Sequence, residues 1–314
     1  MAKKRILVIG NSVTELHIKT KTMPERGEIS VTDFGYSFAP GGRAFISAVA
    51  TSRLGNEVLF CTKLGNDSYG DKLRSILIGN DVNPRFIITD KKRITDLDTV
   101  ITDNTGIPRI ISYKGASVGM SDADLEESLI SYPDAVLIQG DLSCDNIYET
   151  VYLANKKKIP VIFDPAGVDF DTFDLNALGD IEIFTPNADE VFLICGIRPN
   201  NVESCLRACV KIIGKISCRY IVIKLGEKGS FVFDGVYSEI APSFETEVID
   251  RRGVGSVFNA GLVSMYLSSG DIVKGVVYAT VCASLCISAD GEYSSIPTID
   301  EINDFIEANK LNFD

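Results

Sequence analysis

The densest chemistry in the chain lies between Asp250 and Gly261, where Asp250-Arg251-Arg252-Gly253-Val254-Gly255-Ser256 runs into Val257-Phe258-Asn259-Ala260-Gly261. Two glycines at a helix start let backbone N–H groups converge on one point, and the helix dipole adds positive potential there. The chemistry on offer is therefore anion binding. Glycine pairs before helices are common, so this segment takes its meaning from what accompanies it. Gly10-Asn11-Ser12 closes the first apolar run without continuing as G-x-G-x-x-G, which argues against a dinucleotide fold, and no G-x-x-x-x-G-K-[ST] loop exists for a Walker-type site. His17 is the single histidine, and the eight cysteines contain no C-x-x-C pair. Structural zinc is a poor expectation and free thiols in a reducing cytosol a better one. Cys205/Cys209 and Cys282/Cys286 sit four apart, a spacing that places two small apolar groups on one helix face. His17 reads as a surface strand residue rather than a general base.

The 314 residues suit one large α/β domain, and 45% hydrophobic with 24% charged residues is ordinary globular composition. The formal net charge is -12, from 31 basic against 43 acidic residues. That field disfavours nucleic acid, whose affinity comes from cationic side chains; Lys156-Lys157-Lys158 is too short to offset it. A small anion held by backbone amides is compatible with it. Met1-Ala2-Lys3-Lys4-Arg5 leads into an apolar strand rather than a signal sequence. The longest uncharged run, 275–289, is shorter than the ~20 residues that cross a bilayer. The expectation is a soluble, cytoplasmic protein with no membrane partner.

Positioning these residues requires a sheet. Short apolar runs at 6–9, 59–64, 135–139, 161–163, 181–185 and 220–225 alternate with helical patterns at 44–54, 68–78, 146–155 and 202–215. This predicts a mainly parallel sheet covered on both faces, a three-layer α/β/α sandwich. Residues 13–38 and 95–114 break the rhythm with strand-like alternation: Ile29, Val31 and Phe34 in one, Thr99, Ile101, Ile110 and Ser112 in the other. They predict a small antiparallel β flap able to close over a ligand, or else ordinary edge strands. Helices are expected at 256–267, 272–289 and 300–309. With no repeat and no flexible linker, 1–314 reads as a single domain bearing this lid.

Six segments, in order along nearly the whole chain, resemble the ribokinase/PfkB carbohydrate kinase family. Gly41-Gly42-Arg43 through Arg53-Leu54-Gly55 is similar to its early motif. Gly65-Asn66-Asp67-Ser68-Tyr69-Gly70 matches G-x-D-x-x-G, and Asp164-Pro165-Ala166 its D-P strand end. Thr185-Pro186-Asn187-Ala188-Asp189-Glu190 matches P-N-x-x-E, Lys224-Leu225-Gly226-Glu227-Lys228-Gly229 its L-G-x-x-G, and 250–256 its D-T-x-G-A-G-D. The resemblance implies a ribokinase-like fold and ATP-dependent phosphoryl transfer to a sugar-like hydroxyl, with Mg2+. It places Gly253 and Gly255 in the anion hole, Asn187 and Glu190 beside the nucleotide and indirectly on magnesium, and Lys224 and Gly226 near the nucleotide. Glu15, Gly41, Gly42, Ile46 and Asp141 fall on the substrate side, and a homodimer joined through the lid is expected.

The departures are local. Ser256 stands where the family carries its catalytic aspartate. A hydroxyl keeps its proton near neutral pH, so the general base is missing, although serine can still accept a bond from the helix's first amides and so keep the cap. Ile46 replaces a sugar-binding asparagine and is either a core residue or a changed substrate contact. Glu15 replaces an aspartate, as a ligand or as a solvated flap residue. Arg251 and Arg252 oppose the helix dipole and either meet a bound anion or point into water, while Asp250 braces the loop. Two readings follow: a kinase of weak or lost activity, or a noncatalytic nucleotide- or anion-binding pseudokinase that acts through interactions.

Overall fold

Ile6, Leu7, Val8 and Ile9 are all 0% exposed, as only a strand covered on both faces can be. They form β1 (Arg5–Ile9) of a computed structural model that describes residues 3–313. Met1 and Ala2, which open the N-terminal basic run, and Asp314 lie outside the described residues. Alternation along β1 divides the core. Ile6 and Val8 face one helical layer, and Leu7 and Ile9 the other.

The remaining strands are β2 (Val13–Lys19), β3 (Tyr36–Gly41), β4 (Glu57–Gly65), β5 (Val82–Asn83), β6 (Ile87–Asp90), β7 (Asp96–Thr102), β8 (Pro108–Tyr113), β9 (Ala135–Gln139), β10 (Val161–Asp164), β11 (Asp180–Phe184), β12 (Ser217–Lys224), β13 (Ser230–Phe233) and β14 (Ser238–Ala241). The large sheet runs β14-β13-β12-β11-β10-β9-β1-β4-β5, with β6 also pairing β4. From β12 to β5 every pairing is parallel, and the edge hairpin β13–β14 is antiparallel. β1 lies between β4 and β9, so the chain winds one way from β1 and then returns to wind the other. This switch point is where open α/β sheets leave a crevice beyond their strand ends.

The helices are α1 (Arg43–Arg53), α2 (Ser68–Gly79), α3 (Asp122–Leu129), α4 (Cys144–Lys156), α5 (Ala188–Cys195), α6 (Val202–Ile213), α7 (Val254–Ser269), α8 (Ile272–Ile287) and α9 (Ile299–Ala308). Residues of α1, α7 and α8 share one core with Ile6 and Val8, while α3 to α6 share the other with Leu7 and Ile9. Cys205/Cys209 and Cys282/Cys286 are buried in these cores as free thiols, packing as small apolar groups. No helix among the described residues is long and apolar enough to cross a membrane.

The second sheet, β3-β2-β7-β8, is the expected flap. Its outer pairs are antiparallel, while the central pair, β2 with β7, is parallel. The run 20–35 corrects the strand expectation, for it forms no strand. Ile29 and Val31 are 89% and 86% exposed. Pro24, Gly27 and Gly35 punctuate the segment, and side-chain bonds such as Thr32 to the Lys19 carbonyl hold it in place of a ladder. Alternating apolar residues make a strand only where a neighbour supplies backbone partners.

Candidate functional site

Five residues mark the carboxyl ends of neighbouring parallel strands: Gly10 after β1, Asp141 after β9, Asp164 closing β10, Asn187 after β11 and Lys224 closing β12. The sheet thus delivers side chains from distant parts of the sequence to one edge. Above it is a cleft of about 1160 Å³, floored by these strand ends and the starts of α1 and α7 and roofed by the small sheet. Strand alternation selects the roof's inner face: Val13, Glu15 and His17 from β2, Asp98 and Val100 from β7, Pro108 and Ile110 from β8. Cross-strand register sets Glu15 opposite Asp98 and Val100 opposite Ile110.

The start of α7 has the geometry that can receive an anion. Seven of the helices among the described residues begin with a side-chain cap: Asp67, Ser121, Ser143, Asn187, Asn201, Asp271 and Thr298 each accept from first-turn amides. The helices α1 and α7, which open onto the cleft, begin at Gly42 and Gly253 with no such bond. The first amides of α7 are therefore unspent, and the helix end favours negative charge by roughly 0.3–1 kcal/mol when exposed and up to ~2 when partly buried. Gly253 must be glycine: its φ is 73°, and an added Cβ would lie 2.9 Å from Cγ of Glu292. Ser256 lies in the first turn, 5% exposed. The expectation that it caps the helix is corrected, because the cap position is Gly253.

Lys224 reaches this helix start, its Nζ 3.8 Å from where a Cβ on Gly255 would be. It also donates to Asp164 Oδ2 at 3.0 Å, and Asn259 Nδ2 donates to the same oxygen at 2.5 Å. Asp164 is 2% exposed, so two donors fix a buried carboxylate and, through it, the lysine. Asn187 and Glu190 cap α5 reciprocally: Asn187 Oδ1 accepts from Glu190 N at 2.9 Å, and Glu190 Oε2 accepts from Asn187 N at 2.7 Å. Burial pushes the Glu190 carboxyl upward; Lys224 opposes the shift and Asp164 adds to it.

The far end of the cleft carries a second charged group. Glu15 is 8% exposed and accepts from His17 Nε2 at 2.7 Å, so His17 faces the cleft in partnership with Glu15, not the surface as its isolation in the sequence suggested. Gly41 presses on Glu15 and leaves no room for a Cβ. Glu292, in the loop after α8, neighbours Glu15, and burial, followed by the Glu15 charge, pushes its carboxyl up to about 8. Burial likewise pushes Asp141 up to about 6, with Arg43 and Lys114 opposing, and its Oδ1 is buried without a partner.

The structure thus gathers Glu15, Gly42, Asp141, Asn187, Lys224, Gly226, Gly253, Gly255 and Ser256 on one cleft wall. Gly41 and Glu190 stand behind it. Ile46 is fully buried between the sheet and α7 and is a core residue. The two arginines of the loop differ: Arg251 is the more exposed, and both carry acidic partners. Arg252 clasps Asp250 through Nε and Nη2, the latter at 2.6 Å, and Arg251 pairs with Glu227 at 3.3 Å. Asp250 does brace the loop, also accepting from Arg252 N and Gly291 N. Glu292 escaped the sequence reading because its segment, Gly291-Glu292-Tyr293, carries no pattern; only folding brings it to Gly253.

A cleft with free helix amides, a fixed lysine and paired carboxyls at its two ends can hold a polyanion beside a polar acceptor. Residues 3–299 match the pfkB family carbohydrate kinase model. A ribokinase of Haemophilus influenzae is 26% identical over 307 residues, covering 97% of this chain and 99% of that protein. A deoxyribokinase of Salmonella typhimurium is 23% identical with the same coverage. The solved structure of Arabidopsis thaliana ribokinase complexed with ribose and ATP superposes with a TM-score of 0.89 at 24% identity, over 97% of this chain and 99% of that one, and shows the shared fold. The chain belongs to the pfkB family of carbohydrate kinases and has the ribokinase-like α/β fold.

Proposed function

We propose that this protein transfers a phosphoryl group from ATP to a hydroxyl of a small sugar-like alcohol, and does so slowly because the start of α7 offers no carboxylate. The observation that carries the reading is the uncapped start of α7 at Gly253, beside Lys224 and open to the cleft. Phosphoryl transfer passes through a loose transition state that needs placed charge more than covalent chemistry. The amides of 254–256 would take the migrating phosphoryl oxygens, and Lys224, held by Asp164, would face the phosphate chain. The nucleotide's remainder would extend toward Gly226, Ser243, Val248 and Ile287, whose mix of glycine, hydroxyl and apolar surface on the cleft wall suits a base and ribose. Mg2+ fits indirectly. Both Glu190 oxygens already accept from Asn187, so Glu190 and Asn187 would act on the ion through water, where it would neutralise phosphate charge.

The acceptor would occupy the end lined by Glu15, Gly42, Asp98 and Asp141. A single domain, a cytoplasmic setting compatible with the free thiols, and a homodimer across the lid's outer face complete the proposal. Tyr36, Ile111 and Tyr113 are 72%, 69% and 47% exposed on that lid, an apolar surface of the kind that a second copy covers. The noncatalytic reading is favoured by one observation, the neutral Ser256. Sugar-dependent ADP release, measured over a panel of pentoses, hexoses and nucleosides, separates the two. ATP-Mg raising the melting temperature without any turnover supports the noncatalytic protein, and no melting shift with any nucleotide removes the ATP site itself.

A further inference from the structure

Ser256 leaves the reaction without an obvious destination for one proton, and the same cleft holds, beside the start of α7, a group able to receive it. Glu292 arrives from the loop after α8 and lies against Gly253, three residues before Ser256. Its carboxyl neighbours that of Glu15, a side chain of the roof, and the two line the cleft together. Asn11, whose Nδ2 donates to the Asp141 carbonyl, lines the same cleft, 5% exposed, with its Oδ1 buried and accepting no hydrogen bond. That oxygen is an acceptor waiting for a polar donor, as the hydroxyl of a seated alcohol would be. We propose that Glu292, which packs against Gly253 and lines the cleft together with Glu15, takes the proton of the acceptor hydroxyl in place of the missing carboxylate at position 256. The inference rests on the kinase reading of this cleft.

In the step, the acceptor oxygen bonds to the γ-phosphorus while the bond from that phosphorus to the β,γ-bridging oxygen breaks. The bridging oxygen leaves on ADP with the electron pair, and the hydroxyl proton moves to the ionised Glu292 carboxylate. The charged and titratable groups around Glu292 are Glu15 and, bonded to it, His17 from β2, Arg43 from α1, Arg252 with its partner Asp250 before α7, and Cys286 from α8. Burial and the Glu15 charge keep Glu292 protonated up to about pH 8, with Arg252 and Arg43 opposing. A carboxyl in this state is a strong base once ionised, and its competent fraction grows as pH rises to that value.

The test compares the full-length protein with Glu292→Gln, Ser256→Asp and the double variant, following ADP release from ATP-Mg with ribose and 2-deoxyribose between pH 6 and 9. Wild-type kcat should climb with pH and level off near pH 8. Glu292→Gln should lower kcat by about 100-fold or more, within the ~10²–10⁴-fold span of general-base catalysis. It should also abolish the climb and leave the KM for ATP within about threefold. Adding Ser256→Asp to the Glu292→Gln variant should recover at least about tenfold of this loss. Glu15→Gln removes the neighbouring charge and should shift the climb to lower pH, a change that a merely structural role for Glu292 does not produce. Circular dichroism melting checks that each variant folds, and Glu292→Asp should keep part of the rate if Glu292→Gln does not fold.

A Glu292→Gln rate within threefold of wild type, or a fall that keeps the wild-type pH profile, overturns the assignment while the kinase reading stands. A silent wild type beside an active Ser256→Asp overturns it too, since the cleft then has no proton acceptor of its own. Silence from all four proteins overturns both the assignment and the kinase reading.

Discussion

Replacing Lys224 with methionine keeps the length and apolar stem of the side chain but removes its charge. Asp164, 2% exposed, then loses the partner 3.0 Å from its Oδ2 and keeps two neutral donors, Asn259 Nδ2 at 2.5 Å and Ala166 N at 3.1 Å. Removing one member of a buried ion pair typically costs ~3–5 kcal/mol, because the other charge stays in a poorly solvating place. The two remaining donors put this case near the lower end, about 3 kcal/mol. With a urea m-value of at least ~2–3 kcal/mol/M for a chain of this size, the denaturation midpoint should fall by about 1 M. Lys224→Met combined with Asp164→Asn exchanges the stranded charge for an amide and should recover at least about half of the loss, giving a coupling energy of ~1.5 kcal/mol or more. Both variants should lose the ATP-dependent melting shift, so stability and binding separate cleanly in the double variant. A single-variant cost below about 1 kcal/mol, or a double variant no more stable than the single one, would mean that Lys224 is not what holds Asp164, and the derivation of the phosphate end would fail with it.

Gly253→Ala places a Cβ at a φ of 73° and 2.9 Å from the Glu292 side chain; it should cost ~1–2 kcal/mol from the backbone alone and more from crowding, seen as a lower melting temperature together with weaker ATP binding. Glu292 also carries a pH signature. Its carboxyl is held up to about 8 in the folded protein against 4.5 in the unfolded chain, so its stabilising contribution is complete below 4.5 and is lost as pH rises toward 8. Glu292→Gln should therefore flatten the decline in melting temperature between pH 5 and 9; an unchanged slope would contradict the burial of this carboxyl. Ile111→Asp, on the outer face of the lid, should convert a dimer to a monomer in sedimentation experiments, and a wild-type protein that sediments as a monomer at all concentrations would refute the lid interface.

Much of the sheet could be read directly because its strands are buried on both faces, and residues such as Ile6 to Ile9 leave no other interpretation of an apolar run between turns. The placement of Gly253, Asn187 and Lys224 on the cleft wall was legible for a related reason: they belong to a helix start, a capping box and a strand end, and each leaves its mark within a few residues. The acceptor end was not. Glu15 meets Glu292 across 277 positions by numbering, and no local pattern announces a contact of that range. Misjudging His17 has the same origin, since its role depends on a carboxylate beside it in a roof that the sequence only outlines. Ile29, Val31 and Phe34 show the opposite failure, an alternation with no neighbouring strand to complete it. Ser256 was rightly seen as a neutral residue at the start of α7 but wrongly given the cap, because glycine in a left-handed conformation begins the helix without side-chain help.

The strand β3 ends at Gly41 and α1 begins at Arg43, so a single residue, Gly42 at φ 97°, separates the roof of the cleft from a helix in its floor. Roof and floor are therefore one residue apart along the chain. A swing of the small sheet about that pivot would pull on the first turn of α1, where Arg43 faces Asp141. Seating an alcohol beneath the roof would then retune the charge around a carboxyl in the floor directly below it, so that closure of the lid is felt electrically before any bond is made or broken.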